Sequence, residues 1–296
     1  MRSKHSINDN LNGYIFLLPS LSFFLVFMAF PVIFSLFLSF CEWDLISGFG
    51  NIKFIGVENF LNLFISENVL ASLNNTLFYT IIVVPATLII ALVLAILVNN
   101  GVFLKKLIRL GFFMPYIASL VAVSTVWIAM FDNSRGPVNQ ILRALGVENP
   151  PTWLASPDYA FWVIILLSVW TGVGYCLVIY MAALQNVPQE LYEASRVDGA
   201  NSFSRFWNIT VPMISPTTFF LVTTRIIASF QVFTPVKLMT QGGPVNSTSV
   251  IVFEIYREAF AYYKMGYSSA IAWILFVLIF VVTIIQWKFQ GKWVNY

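Results

Sequence analysis

Residues 190–212, "ELYEASRVDGANSFSRFWNITVP", gather three carboxylates (Glu190, Glu193, Asp198) and two guanidinium groups (Arg196, Arg205) between long stretches of hydrocarbon. Charges at that density can pair with a second protein or solvate an exposed face. They are not set out for bond-making chemistry. The outer loops hold no nucleophile, base and acid together, which argues against an enzyme. The single histidine, His5, lies in a polar N-terminal tail, and the two cysteines, Cys41 and Cys176, are far apart in sequence. That leaves no ligand set for zinc or another soft metal, and no disulfide is expected. No GxxxxGK[ST] pattern occurs, so any use of ATP must take place on another subunit.

One more charge stands out. Arg225 follows Pro212 by thirteen residues, about 20 Å along a helix at 1.5 Å per residue, inside an otherwise apolar stretch. A guanidinium at that depth is costly unless it meets a partner or water. Two placements satisfy it: against carbonyls of a neighbouring helix or subunit, or facing a wet path where it contacts an anionic substrate. Thr223, Thr224, Ser229 and Gln231 make its surroundings the most polar part of any such stretch. None of these stretches carries Asp or Glu, which argues against proton coupling through an intramembrane carboxylate. A sodium site built from backbone carbonyls stays open.

The elements that must position these groups are helices in a bilayer. Apolar residues make up 59% of the chain and charged residues 10%, against about 25% charged in a typical soluble domain. A polytopic membrane protein is expected. Six stretches, near 13–40, 74–98, 110–131, 160–181, 211–233 and 266–288, reach the roughly 20 residues a helix needs to cross hydrocarbon. Runs such as "LFYTIIVVPATLIIALVLAILV" lack the alternation of barrel strands. The first stretch is too long for a signal-peptide core and no small-residue cleavage site follows, so it is expected to stay as a membrane helix.

Basic residues orient the set. With the N-terminus inside, the inner segments collect Arg2, Lys4, Lys105, Lys106, Arg109, Arg196, Arg205, Lys288 and Lys292. The outer ones hold Lys53, Arg135, Arg143, Lys237, Arg257 and Lys264. The positive-inside rule places both termini, and residues 182–210, in the cytoplasm.

Within the polar loop, Asn186 reads as an N-cap and Pro188 as a first-turn residue of a helix running from Gln189 to Asp198. Glu190 and Glu193 fall near its positive end. Gly199 supplies a left-handed turn. Asn201 can cap a second short helix whose Phe203, Phe206 and Trp207 share one face, set to pack against the membrane helices' ends. Helix, glycine turn, helix also describes an ordinary interfacial connector.

The spacing Glu193-Ala194-Ser195, three residues, Gly199, nine residues, Ile209-x-Val211-Pro212 resembles the EAA loop of ABC importer permeases. Ser195 replaces the second Ala of that pattern and Val211 its Leu. The flanks "NVPQELYEASRVDGA" resemble the carbohydrate-uptake branch, of maltose and glycerol-phosphate type. So do "MPYIASLVAVSTVW", "GPVNQILRALG", "VWTGVGYCLVIYMAALQ" and "SFQVFTPVKLMTQGGPVNST", in order, across most of residues 70–290.

The resemblance implies an all-α, six-helix type I ABC importer transmembrane fold with both termini cytoplasmic. Residues 1–73 would form the tail, first membrane helix and outer loop; 74–288 the permease core with its coupling loop at 186–212; and 289–296 a cytoplasmic tail. Glu193 would pair with a basic group on the ATPase, Ala194 and Ser195 would permit close approach, and Gly199 the turn. Arg196 and Asp198 are rim contacts or solvated charges. Residues 240–244, "TQGGP", suit a type II turn. The resemblance adds that Gln241, Gly242, Gly243 and Pro244 face a substrate-binding protein.

A substrate path is expected along Ser168, Thr171, Gly172 and Tyr175, which share a helical face, though small residues so spaced also suit a helix–helix contact. It would continue along Arg225, Ser229 and Val232, at i, i+4 and i+7. The implied partners are a second homologous permease, a dimer of ATP-binding subunits, an extracytoplasmic substrate-binding protein, membrane lipid, and a sugar or oligosaccharide, acidic if Arg225 faces the path. ATP and Mg would bind the ATPase, leaving no cofactor on this chain, and no nucleic acid is involved. The setting implied is the bacterial cell membrane, crossed several times. A secondary transporter or channel working without ATP is the rival, alongside a structural membrane protein that uses the loop for docking. The loop at full spacing and the lack of intramembrane carboxylates argue against both.

Overall fold

The computed structural model describes residues 7–99, 105–291 and 293–294. Arg2, Lys4, His5 and Lys292 lie outside them. Among the described residues, five helices are long and apolar enough to cross a membrane: α1 (Tyr14–Ser39), α2 (Glu67–Asn99), Ala160–Gln185, Ser215–Met239 and Met265–Gln290. A sixth crossing exists if the bent pair α3 (Lys105–Ile117) and α4 (Leu120–Met130) counts as one span. The remaining labels follow chain order: α5 (Ala160–Gln185), α6 (Gln189–Val197), α7 (Ser215–Phe230) and α8 (Met265–Gln290).

Two of the expected spans contain breaks that the sequence reading did not foresee. The stretch 110–131 is not straight: α3 and α4 meet at 96°. Pro115 brings no N–H to the helical ladder, and Ser119 takes an extended backbone (φ −56, ψ 121) that stops it. The stretch 211–233 is also interrupted. Val211–Met213 forms a separate turn ending at Ile214 (φ −93, ψ 2), and Pro216 then sits in the first turn of α7, where no N–H is needed. The helix stops at Phe230, capped by Gln231, and resumes as Thr234–Met239.

The chain forms two compact units. One joins residues up to Ile65 with Ile255–Ile274; the other joins Ser66–Glu254 with residues from Leu275 onward. In the first, a small hairpin pairs Cys41 with Phe54 and Glu42 with Lys53. Leu45 N–H donates to Tyr263 O (3.1 Å), and Gly266 N–H donates to Trp43 O (3.3 Å). The Asn59 amide ties the end of α1 by donating to Ser39 O (3.0 Å) and Cys41 O (2.9 Å).

In the second, α2 packs along α5 through Val83, Leu88, Ala91, Ile164, Leu167 and Leu177, all buried. Phe78 stacks on Phe161 at 6.1 Å, and Tyr79 meets the same ring tilted, also at 6.1 Å. Against α3, α5 presents Gly174, where a β-carbon would overlap the Phe112 carbonyl. Close approach at a small residue is how membrane helices gain contact without a hydrophobic driving force. Outward faces stay apolar, with Phe16 85%, Phe27 72% and Trp287 73% exposed, which suits lipid rather than water. Cys41 and Cys176 are buried and free.

Candidate functional site

The polar loop is a built structure. Asn186 closes α5 instead of opening α6: its N–H donates to Ala183 O (3.1 Å) and its backbone is still near-helical (φ −86, ψ −5). Pro188, extended in ψ (φ −57, ψ 128), occupies the cap position before Gln189. At the far end Gly199 has φ +79. Gly199 N–H donates to Arg196 O (3.1 Å) and Ala200 N–H to Ser195 O (2.9 Å). That bond pair closes a helix on a left-handed residue. The next turn begins at Asn201, whose Oδ1 accepts from Ser204 N–H at 2.8 Å.

The brace differs from the expected one. Phe203 and Trp207 pack edge-on at 6.3 Å but remain 73% and 53% exposed. The segment Phe206–Thr210 is a π-turn, so an α-helical stripe does not carry through it. What links α6 to the returning chain is a hydrogen bond between the Tyr192 hydroxyl and Thr210 Oγ1 (2.9 Å). The Ser195 hydroxyl donates to Tyr192 O (2.8 Å). Glu193, Ala194, Arg196 and Asp198 stay exposed. Among the described residues neither Glu193 nor Arg196 forms an ion pair, so both charges are available to another protein.

Behind α6 lies a cleft of about 810 Å³, lined by Lys105, Gln185, Gln189, Tyr192, Glu193, Arg196, Ser202 and Arg205 among others. Three cations face one carboxylate there, so the cleft is electropositive.

A second locus lies at mid-span. Arg225 on α7 lays its guanidinium over Gly172 of α5, where a β-carbon would overlap it and would also crowd the Thr87 methyl of α2. Tyr79 and Tyr175 sit within reach of its charge, and Tyr175 stacks on Tyr116 at 5.0 Å. The hydroxyls of three other expected path residues have partners within the protein. Ser168 is buried and donates to Ile164 O (2.9 Å), and Thr171 donates to Leu167 O (3.0 Å). Ser229 donates to Thr80 Oγ1 (2.9 Å). Val232 does not continue the Arg225 face, because α7 ends at Phe230.

The turn at residues 240–244 is also corrected. Thr240–Gly243 is closed by Gly243 N–H donating to Thr240 O (3.0 Å), with φ +51 at Gln241 and +80 at Gly242. Positive φ at both central positions defines the mirror-image type I turn, not type II. Gly242 is buried against Phe253, while Gln241 is exposed. Thr248 donates to Gly243 O (2.8 Å). The Asn75 amide on α2 holds the following backbone, at Asn246 O (3.1 Å) and Ser249 O (2.9 Å).

Sequence spacing missed Tyr192, Thr210, Tyr79, Thr87 and Tyr116. Tyr192 lies inside the polar motif, but its partner is on another segment; the others are defined by contacts between distant helices.

Residues 75–293 match the family described as binding-protein-dependent transport system inner membrane component. The chain is 38% identical over its full length to the probable ABC transporter permease protein YesP of Bacillus subtilis, covering 96% of that protein. It is 34% identical to the sn-glycerol-3-phosphate permease UgpA of Pectobacterium atrosepticum, over 96% of this chain and 95% of that one. Against the lactose permease LacF of Rhizobium radiobacter it is also 34% identical, over 94% and 93%. Its fold is similar to that of a bacterial ABC transporter importing the acidic polysaccharide alginate, with TM-score 0.85, 24% identity and 97% of both chains covered.

Proposed function

The chain belongs to the family of binding-protein-dependent transport system inner membrane components, and from that premise we propose that it is one of two permeases of an ATP-driven importer of a sugar or sugar derivative. Sugar as cargo is supported by relatives named for lactose and glycerol phosphate and by a neighbour named for a polysaccharide. Both termini and the loop 186–212 lie in the cytoplasm. A second, related permease completes the path, two ATPase subunits carry ATP and Mg, and an extracytoplasmic protein delivers the cargo to the outer loop around Gln241.

The observation that carries this reading is α6 itself. A short helix closed at Gly199 and bonded from Tyr192 to Thr210 presents Glu193, Ala194, Arg196 and Val197 outward. Such an element is stiff enough to pass a push from an ATPase to α5, which it follows closely, and through residues 198–214 to α7. Glu193 pairs with a cation on the ATPase, and the small Ala194 lets the surfaces meet.

The test is ATP hydrolysis by the complex reconstituted with its ATPase and binding protein. Loaded binding protein should raise hydrolysis in wild type. Glu193→Lys and Gly199→Asp should remove at least nine-tenths of that increase while the subunits still co-purify. Transport without ATP, or normal coupling in both variants, would sink the proposal.

A further inference from the structure

We infer that Arg225 is an anion-selecting residue at mid-span, where it engages a carboxylate or phosphate carried by the transported saccharide; this rests on the importer reading above. The guanidinium fills a defined place: α5 makes room for it only because residue 172 lacks a side chain, and the Thr87 methyl of α2 borders that same space. Yet it is not neutralised. Its Nε is buried, and among the described residues no acceptor hydrogen-bonds to it. No carboxylate faces it from α2, α5 or α7; what those helices bring near is Tyr79, Thr87, Gly172, Tyr175 and Cys176.

A cation kept at that depth without a counter-ion is expensive, and polar groups in spans generally mark a ligand or ion path. Backbone carbonyls would have served a purely structural arginine, as they serve the hydroxyls of Ser168 and Thr171. A planar fork of N–H donors instead fits an anionic oxygen pair, with short charge-assisted bonds in low dielectric. Beside it, Tyr175 stacks on Tyr116, which is 45% exposed. That pair offers an aromatic face to the apolar side of a sugar ring, where α3 nears its break.

The experiment compares import into proteoliposomes of tri-galacturonate, glycerol 3-phosphate and neutral galactotriose by the assembled importer, each supplied with its binding protein. Wild type should import at least one acidic probe at least tenfold faster than galactotriose. Arg225→Gln should cut that ratio at least tenfold with ATP hydrolysis still stimulated, Arg225→Lys should keep it within about threefold, and Gly172→Ala, which displaces the guanidinium, should lower it like Arg225→Gln. Which acidic probe is carried identifies carboxylate or phosphate as the group recognised. Preference for galactotriose, import of no acidic probe, or an unchanged ratio in Arg225→Gln overturns the inference. If loaded binding protein never stimulates hydrolysis, the importer reading fails instead.

Discussion

Single side chains govern the loops on either side of the spans. After α4, the Asp132 carboxylate accepts from Arg135 N–H (2.7 Å) and Ser134 N–H (3.1 Å). Those bonds, the Arg135 one foremost, hold its carboxyl below the ordinary aspartate range. A depressed folded-state value contributes order that is complete above the unfolded pKa and is lost as pH falls through the folded one. Protection of the Ser134 and Arg135 amides, corrected for intrinsic exchange, should therefore decline only below the ordinary aspartate value of about 3.9. Asp132→Ala should abolish the pH dependence; a pH-independent protection in wild type would contradict it. In the polar loop, Tyr192→Phe deletes the bond to Thr210, worth about 0.5–1.5 kcal/mol. It should lower stimulated ATP hydrolysis several-fold with the complex intact. Thr210→Val should do the same, and the double variant should add nothing further, since both remove one bond. Additive losses would mean that the bond does not transmit force.

At the scale of elements, what was legible in sequence is what local backbone chemistry decides. The bounds of α6, the left-handed Gly199 and the Asn201 cap follow from residues within a few positions of one another, and so do the apolar lengths of α1, α5 and α8. The failures share a cause: they depend on partners far along the chain or on one backbone angle within an unbroken apolar run. The α3–α4 break hides in "MPYIASLVAV" because both halves are equally apolar. Val232 lost its register to a helix end that no glycine or proline marks. The aromatic trio reads as a brace because periodicity cannot see the π-turn beneath it. Conversely, Gly172 looked like one member of a small-residue face, yet its neighbour is a guanidinium, and Gly174, which spacing did not single out, meets the Phe112 carbonyl. Gly174→Ala should separate α3 from α5, an overpacking cost of about 1–3 kcal/mol. It should lower the thermal midpoint of the purified complex, whereas Gly111→Ala, with open space around it, should leave it unchanged.

For the whole molecule, the bent pair settles which side of the membrane sees the polar loop. If α3 and α4 together cross, residues 131–159 emerge opposite the α2–α3 connection, and α5 brings α6 back to the cytoplasmic side. If the pair instead dips in and returns, α6 is carried to the outer side, where no ATPase could reach Glu193. The basic residues Lys105, Lys106, Arg109, Arg196 and Arg205 then also fall on opposite sides, against the positive-inside rule. Two exposed valines discriminate the cases: Val197 on α6, 89% exposed, and Val245 in the loop that follows residues 240–244, 90% exposed. The native thiols are buried, so they give a low background. A membrane-impermeant maleimide applied to right-side-out vesicles should label Val245→Cys and spare Val197→Cys, and inside-out vesicles should reverse the pattern. The reverse pattern, with Val197→Cys labelled from outside and Val245→Cys spared, would turn the broken pair into a re-entrant loop and remove the mechanical route from ATP to α5. Crossing is expected because α3 and α4 together are as long as a span and as apolar.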